Sequence, residues 1–332
     1  MLQFQEHIPL GPKTTMCIGG KARWYAELGS RENCEAAATF AKEKNIPLIV
    51  LGSGSNTIFA DGTIEALVVR IKAEMVTVQK SPHPRPLPKG EGMMPDMSRA
   101  AVPGRADIRV EAGKNLAMLI NELAEENLDL SPLTGIPGTV GGAIFGNAGQ
   151  GQGGVWISNY VKEVEILARD NGPFDSAQDK LRTMNKGLWK RFSKEQCEFG
   201  YRTSFFKAMC MPIIWSCTLQ IPSRPKEEVK AEIERLLKKR IETQPHSKTA
   251  GSCFVSLPDG TPAWKVIDAA GLRGKKVGGV SISEKHANFL IAEKGATFED
   301  AKNLIESIQS TLQPPLRVEM RLIGNTGTVE NE

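Results

Sequence analysis

Two glycine-rich segments carry the densest chemical signal in this chain: Gly52-Ser53-Gly54-Ser55-Asn56, and Gly135-Ile136-Pro137-Gly138-Thr139-Val140-Gly141-Gly142-Ala143, which runs on to Asn147-Ala148-Gly149. Glycines let successive backbone N–H groups curl into a nest that binds phosphate oxygens without a cationic side chain, so a pyrophosphate is the natural guest. The plain alternative for either loop is a tight turn. A Rossmann fingerprint would need a third glycine where Thr57 stands, and a P-loop would need Gly-Lys-Ser/Thr, which never occurs.

Four further segments carry reactive side chains. Phe199-Gly200-Tyr201-Arg202 offers an Arg that is either a solvated surface group or a planar donor fork for a carboxylate. Ala250-Gly251-Ser252-Cys253-Phe254 places a hydroxyl in a turn, and without a G-x-S-x-G elbow around it a serine hydrolase is disfavoured. Glu284-Lys285-His286-Ala287-Asn288-Phe289 gathers polar groups before an apolar pair; His286 there is either a satisfied structural histidine or a site residue. In Val318-Glu319-Met320-Arg321-Leu322-Ile323-Gly324 the alternation is that of a half-buried strand, which makes Glu319 a solvent-facing acid on one face and a buried acid on the other.

These groups need a scaffold, and the apolar pattern outlines one. Ser30 caps a helix bearing Cys34, Ala37, Ala38 and Ala41, and Ile46 to Leu51 reads as a buried strand. A further strand signal, Ala66 to Ile71, follows so soon that no crossover helix of a dinucleotide-binding βαβ unit fits between them. Asn115 starts a helix with Leu116, Leu119, Ile120 and Leu123 on one face. Residues 211–221 read as a strand. Pro225 then opens a charged helix with a core stripe of Val229, Ile233, Leu236 and Leu237 and a Glu234–Lys238 pair, which places a domain boundary near 222. Two more helices follow, one ended by Gly271 and one capped by Thr297 and Asp300. Residues 80–106 and 171–187 lack apolar periodicity and read as surface insertions, the first of them disordered.

Composition narrows the function classes. With 332 residues, 40% of them hydrophobic, the chain has material for two or three cores. A net charge of +4, not concentrated in a basic stripe, points away from a nucleic-acid binder. No apolar run suits a membrane span, and the first residues show no signal-peptide pattern, so a soluble cytoplasmic protein is expected. Six dispersed cysteines without a CxxC pair, and four histidines without metal-ligand spacing, predict reduced thiols and no metal.

Taken together, the motifs resemble one family, the UDP-N-acetylenolpyruvoylglucosamine reductases, in its shorter (type II-like) subtype. Those that carry the resemblance are T-T-M-C-I-G-G at 14–20, L-G-S-G-S-N at 51–56, the run 135–149, F-G-Y-R at 199–202, A-G-S-C-F at 250–254, A-G-L-R-G at 270–274, S-E-K-H-A-N-F at 283–289 and the late V-E-M-R-L-I-G, in the family order. The resemblance implies an α+β fold: an FAD-binding part of the vanillyl-alcohol-oxidase type made of two α+β subdomains, 1–72 and 73–221, and a C-terminal α+β substrate-binding domain, 222–332, whose last strand, about 316–324, returns to the active site. It implies a monomeric enzyme with FAD and NADPH as cofactors and UDP-N-acetylglucosamine enolpyruvate as substrate.

Carried over residue by residue, FAD would rest on Gly52, Ser53, Gly54, Ser55, Asn56, Gly135, Ile136, Pro137, Gly138, Thr139, Gly141, Gly142, Asn147 and Gly149. Arg202, Ser252 and Glu319 match the catalytic positions. Tyr201, Ser256, Lys285, His286 and Asn288 would contact substrate. Ser256 stands where the family often has a Lys-Asn-Pro run, and Cys253 beside the proton donor is either packing or an oxidation-sensitive thiol. The rival readings are another flavin oxidase on the same scaffold and a non-catalytic binder of FAD or of an anionic surface.

Overall fold

The structure, a computed structural model, describes residues 2–79, 104–150, 154–168, 189–209 and 212–331. The insertion expected at 171–187 lies outside them, as do Cys210 and residues 80–103 of the other insertion.

The first region contains β1 (Gln5–Pro9), β2 (Lys21–Leu28), α1 (Arg31–Glu43), β3 (Leu48–Val50), β4 (Thr57–Phe59) and β5 (Thr63–Ile71). Ser30 caps α1 as expected, its hydroxyl accepting from Asn33 N. The sheet order is β1-β2-β5-β3, and β3 runs parallel to β5 with Leu48 opposite Leu67. The connection between these parallel strands holds the first glycine loop and β4, with no helix. β5 is buried on both faces: Leu67 and Val69 enter one core, Ile64, Ala66 and Val68 a second, which is why it reads as a continuous apolar run.

The second region contains β6 (Val76–Gln79), β7 (Arg105–Glu111), α2 (Leu116–Glu125), α3 (Val140–Gly146), β8 (Val161–Leu167), β9 (Trp189–Ser193), α4 (Phe205–Ala208) and β10 (Ile213–Pro222). Its sheet is antiparallel, ordered β6-β7-β10-β8-β9. Arg105 and Ala106, assigned above to the disordered insertion, open β7 and pair with Pro222 and Ile221 of β10. The second glycine run is also not all loop. Thr139 caps α3 through Gly142 N, and the low helix propensity of Gly141 is overridden by close packing on Ala112.

The charged helix α5 (Lys226–Thr243) packs on this second region: Val229 and Ile233 join its core and the helix touches α2. The helix that follows position 222 thus shares the core of the sheet before it. The expected stripe also ends early, since Leu237 is 41% exposed. Among the described residues Arg235 pairs with Glu232, Lys226 and Lys230 pair with Glu125 of α2, and the expected Glu234–Lys238 pair is not formed.

The third region contains α6 (Ala263–Ala269), β11 (Lys276–Val277), β12 (Val280–Ile282), β13 (Leu290–Ala292), α7 (Phe298–Thr311) and β14 (Arg321–Ile323). The expected capping box of α7 forms between Thr297 and Asp300, and Asp61 of the first region accepts from Phe298 N. The late strand is shorter than the alternation suggested, but it does return: β14 pairs in parallel with β4, Arg321 opposite Thr57. Phe254, Ile305 and Leu322 share the second core with Ile18, Tyr25 and Val68, so the first sheet is covered by the second region on one face and the third on the other.

Candidate active site

A cleft of about 1410 Å³ lies where the three regions meet, lined by both glycine loops, Tyr201, Arg202, residues 249–252, Ser256, His286 and Glu319. Its size exceeds that of a single small-ligand pocket and suits a dinucleotide with a second ligand.

The first loop is held from behind. Arg70 donates from Nε to Gly52 O (3.0 Å) and from Nη2 to Lys13 O (2.9 Å), and Thr15 N donates to Gly54 O (3.1 Å). Gly54 has φ +66°, and a Cβ there would lie 2.5 Å from Lys13 O, so only glycine fits. Ser55 Oγ donates to Pro137 O (3.1 Å), which locks the two loops together. With their carbonyls engaged, the N–H groups of Gly52 through Asn56, and of Gly138 and Thr139, donate to no acceptor among the described residues. A run of unspent amides facing a cleft fits a diphosphate.

Other positions expected to touch the cofactor also have structural partners. Gly141 N donates to Ala112 O (2.9 Å), and Gly142 N to Thr139 Oγ1 (3.3 Å). Asn147, 3% exposed, ends α3 in the left-handed region; its Nδ2 donates to Gly200 O (2.8 Å) and its Oδ1 accepts from Ser158 N (3.3 Å). Gly149 lies against the Trp156 ring, which a Cβ would meet at 2.4 Å. These four shape the cleft: a glycine or Asn in a motif is called for by close backbone approach whether the neighbour is a ligand or protein.

The three expected catalytic groups do converge. Arg202, with φ +56°, places Nε 3.0 Å from Glu319 Oε1, but the N–H is not directed at that oxygen, so the contact is a charge pair without a hydrogen bond. Glu319 is the buried acid of the two readings. Burial pushes its carboxyl above the usual range, opposed by the positive charges of Arg202, Lys207 and Arg317. Glu319 N donates to Cys253 O (2.7 Å), which brings the acid beside Ser252. The Ser252 hydroxyl lines the cleft and makes no hydrogen bond among the described residues. Cys253 is fully buried, and burial together with the Glu319 charge raises its thiol well above the ordinary value, which suits packing rather than thiolate chemistry.

The expected substrate contacts divide. Tyr201 OH donates to Ser256 Oγ (3.0 Å) and accepts from Ser256 N (3.2 Å), and both residues line the cleft. His286 also lines it; its Nδ1 accepts from Asn288 N (3.3 Å), and burial lowers its pKa, with Arg273 adding to the effect. Asn288 is 6% exposed, and its amide is spent on the main chain of Phe254, accepting from N (2.9 Å) and donating to O (2.8 Å). These bonds order the Ser252 segment, and Asn288 also borders the cleft. Lys285 faces a separate, smaller pocket and donates to Ile241 O at the end of α5.

Four residues escaped the sequence reading. Trp156 lies under Arg202, Lys207 donates to Arg202 O (2.8 Å), Arg240 donates to Gly135 O (2.7 Å), and Arg321 stacks on Phe145 at the cleft. Arg321 had a signal: at two residues from Glu319 in a strand it shares that face. Arg240, inside a run of charges, had none.

Comparison with known proteins agrees with this geometry. A family model described as the C-terminal domain of UDP-N-acetylenolpyruvoylglucosamine reductase matches residues 244–322, and one described as an FAD binding domain matches residues 93–173. The UDP-N-acetylenolpyruvoylglucosamine reductase of Chlamydia trachomatis serovar D is 32% identical over 96% of this chain and 96% of its own. That of Aquifex aeolicus is 30% identical over 98% and 97%. The crystal structure of the Thermus caldophilus enzyme superposes with a TM-score of 0.70 at 26% identity, covering 97% of this chain and 98% of that one. The α+β fold expected above, an FAD-binding part followed by a C-terminal domain, is the fold observed. Near-complete coverage by these relatives, together with the meeting of Arg202, Ser252 and Glu319 beside a loop of unspent amides, places the chain in the UDP-N-acetylenolpyruvoylglucosamine reductase family.

Proposed function

We infer that the protein is an FAD-dependent oxidoreductase that uses NADPH to reduce the enolpyruvyl ether of UDP-N-acetylglucosamine enolpyruvate, giving UDP-N-acetylmuramate for peptidoglycan precursor synthesis. The observation that carries this reading is the Arg202–Glu319 pair, 3.0 Å apart, on the same cleft as Ser252 and the amide-lined loops.

FAD, when bound, supplies hydride transfer from NADPH to C3 of the ether. The loops Gly52–Asn56 and Gly135–Thr139 would hold its diphosphate through their unspent N–H groups. Hydride arrival at C3 builds negative charge at C2 and in the adjoining carboxylate, and the chain must meet that charge. The terminal nitrogens of Arg202 are suited to a carboxylate, while its Nε lies against Glu319. In its protonated form, which burial favours, Glu319 donates a hydrogen bond to the same group. Ser252 hands its hydroxyl proton to C2; a hydroxyl is a weak acid, so the proton moves as the charge forms and is replaced by relay through water. Tyr201, Ser256 and His286 flank the substrate, and Asn288 holds the Ser252 segment.

By packing, the substrate domain proper begins after α5, near residue 244, leaving α5 with the second FAD-binding region. A monomer without membrane or nucleic-acid partners, working in the cytoplasm, is the simplest setting. Five described cysteines are unpaired, and no helix among the described residues is long and apolar enough to cross a membrane.

The test is spectroscopic and kinetic. The purified protein should show the visible spectrum of oxidised flavin and release FAD on denaturation. NADPH consumption should depend on UDP-N-acetylglucosamine enolpyruvate; consumption that needs an alcohol, or none at all, would refute the reading.

A further inference from the structure

The Arg202 backbone sits in the left-handed region, uncommon for a non-glycine residue, and its Nε has charge attraction to Glu319 without a directed hydrogen bond. Charge attraction alone does not fix the rotation of a guanidinium plane, yet two-point recognition of a carboxylate requires that plane to be fixed.

Trp156 supplies what is missing. The Arg202 Cζ lies 5.2 Å from the centroid of the indole, within cation–π range. Tyr201 meets the same ring edge-on, with centroids 5.5 Å apart and planes at 87°. The ring is itself anchored. Trp156 forms an antiparallel bridge with Gly149, whose missing side chain leaves room for the indole, and Trp156 N donates to Asn159 Oδ1 (2.7 Å). Asn147 then ties the two segments, accepting from Ser158 N and donating to Gly200 O. Segment 156–158 and the turn carrying Tyr201 and Arg202 thus form one braced unit with the indole at its centre.

We propose that Trp156 is a positioning residue for carboxylate recognition: its indole sets the plane of Arg202, acting through that side chain without itself touching substrate. The inference rests on the reductase reading, in which Arg202 meets the substrate carboxylate.

Two ligands isolate the effect. UDP-N-acetylmuramate carries a carboxylate and UDP-N-acetylglucosamine does not. On the FAD-loaded protein, Trp156→Leu should weaken the first about tenfold and leave the second unchanged. kcat/KM for the enolpyruvyl substrate should fall about tenfold, while reduction of the flavin by NADPH keeps its wild-type rate. Trp156→Phe, which keeps an aromatic face, should lose only about two- to threefold, and it serves as the test if the Leu variant does not fold. In an Arg202→Ala background the Trp156→Leu effect on UDP-N-acetylmuramate binding should disappear. Equal weakening of both ligands, a penalty that survives in the Arg202→Ala background, or a Phe variant that binds UDP-N-acetylmuramate as well as wild type would overturn the inference. Failure of the reductase reading shows separately, as wild-type protein that consumes no NADPH with the enolpyruvyl substrate.

Discussion

Replacing Glu319 by Gln tests the claim that burial outweighs the neighbouring cations and raises the Glu319 carboxyl above its ordinary value. The side chain is 13% exposed and lies 3.0 Å from the Arg202 Nε. Unit charges at that separation attract by about 5 kcal/mol at an effective dielectric near 20. The carboxyl is nevertheless pushed upward, which means that removing its charge from water costs more than Arg202, Lys207 and Arg317 return. The folded protein therefore keeps a proton that the unfolded chain releases. Stability from this group is fully present below the unfolded glutamate pKa and is lost as pH rises through the raised folded value, with a slope of about 1.4 kcal/mol per pH unit inside that window. Gln has the same shape and does not titrate. Denaturant unfolding of both proteins at equal FAD saturation, from about pH 4 to pH 8, isolates the effect because every other titrating group cancels. Wild type should lose ground to Glu319→Gln as pH rises, then level off. A gap that stays constant, or that moves in favour of wild type with rising pH, would show an ordinary carboxylate stabilised by Arg202 and would refute the reasoning.

Ser252→Ala should bind FAD and be reduced by NADPH normally, while reoxidation by the enolpyruvyl substrate, followed by stopped-flow absorbance, slows by about a hundredfold or more. Gly54→Ala would bring a Cβ to 2.5 Å from Lys13 O at φ +66°, so the loop must shift; the protein should purify colourless and fail to take up added FAD. Asn288→Ala removes two hydrogen bonds to the buried main chain of Phe254 and should cost about 2–4 kcal/mol of stability in denaturant unfolding, with a smaller effect on KM than on stability.

Local features were legible in the sequence because local physics decides them. The caps at Ser30, Asn115 and Thr297 each accept the backbone N–H that the residue type predicts. The short interval between β3 and β5 excluded a Rossmann crossover, and the structure holds none. The misses arise where tertiary contact overrides a local preference. Gly141 sits in a helix because a backbone needs to approach Ala112, and Leu237 continues an apolar period past the point where α5 leaves its core and faces the cleft. The buried amides of Asn147 and Asn288 are satisfied by main-chain groups distant in sequence, which no local pattern reveals.

The same long-range bonding explains how a site drawn from distant segments can be accurate. Glu319 N reaches Cys253 O at 2.7 Å, Arg321 N reaches Asn56 O at 3.0 Å, and Asn56 Nδ2 closes on Glu319 O at 3.4 Å. Next to these bonds, β14 continues into a parallel pair with β4. The first glycine loop, the acid and the serine turn are thereby spaced by two main-chain hydrogen bonds and one side-chain tie from the Asn56 amide. A dinucleotide seated on the loop amides is referenced to the same backbone as Ser252 and Glu319, which is the tolerance that hydride and proton transfer to adjacent carbons demands. Arg202 is the exception, since it arrives on a turn from the second region and meets Glu319 only through charge. Its accuracy has to come from its own neighbours, and of the three catalytic groups it is the one with an aromatic ring beneath it.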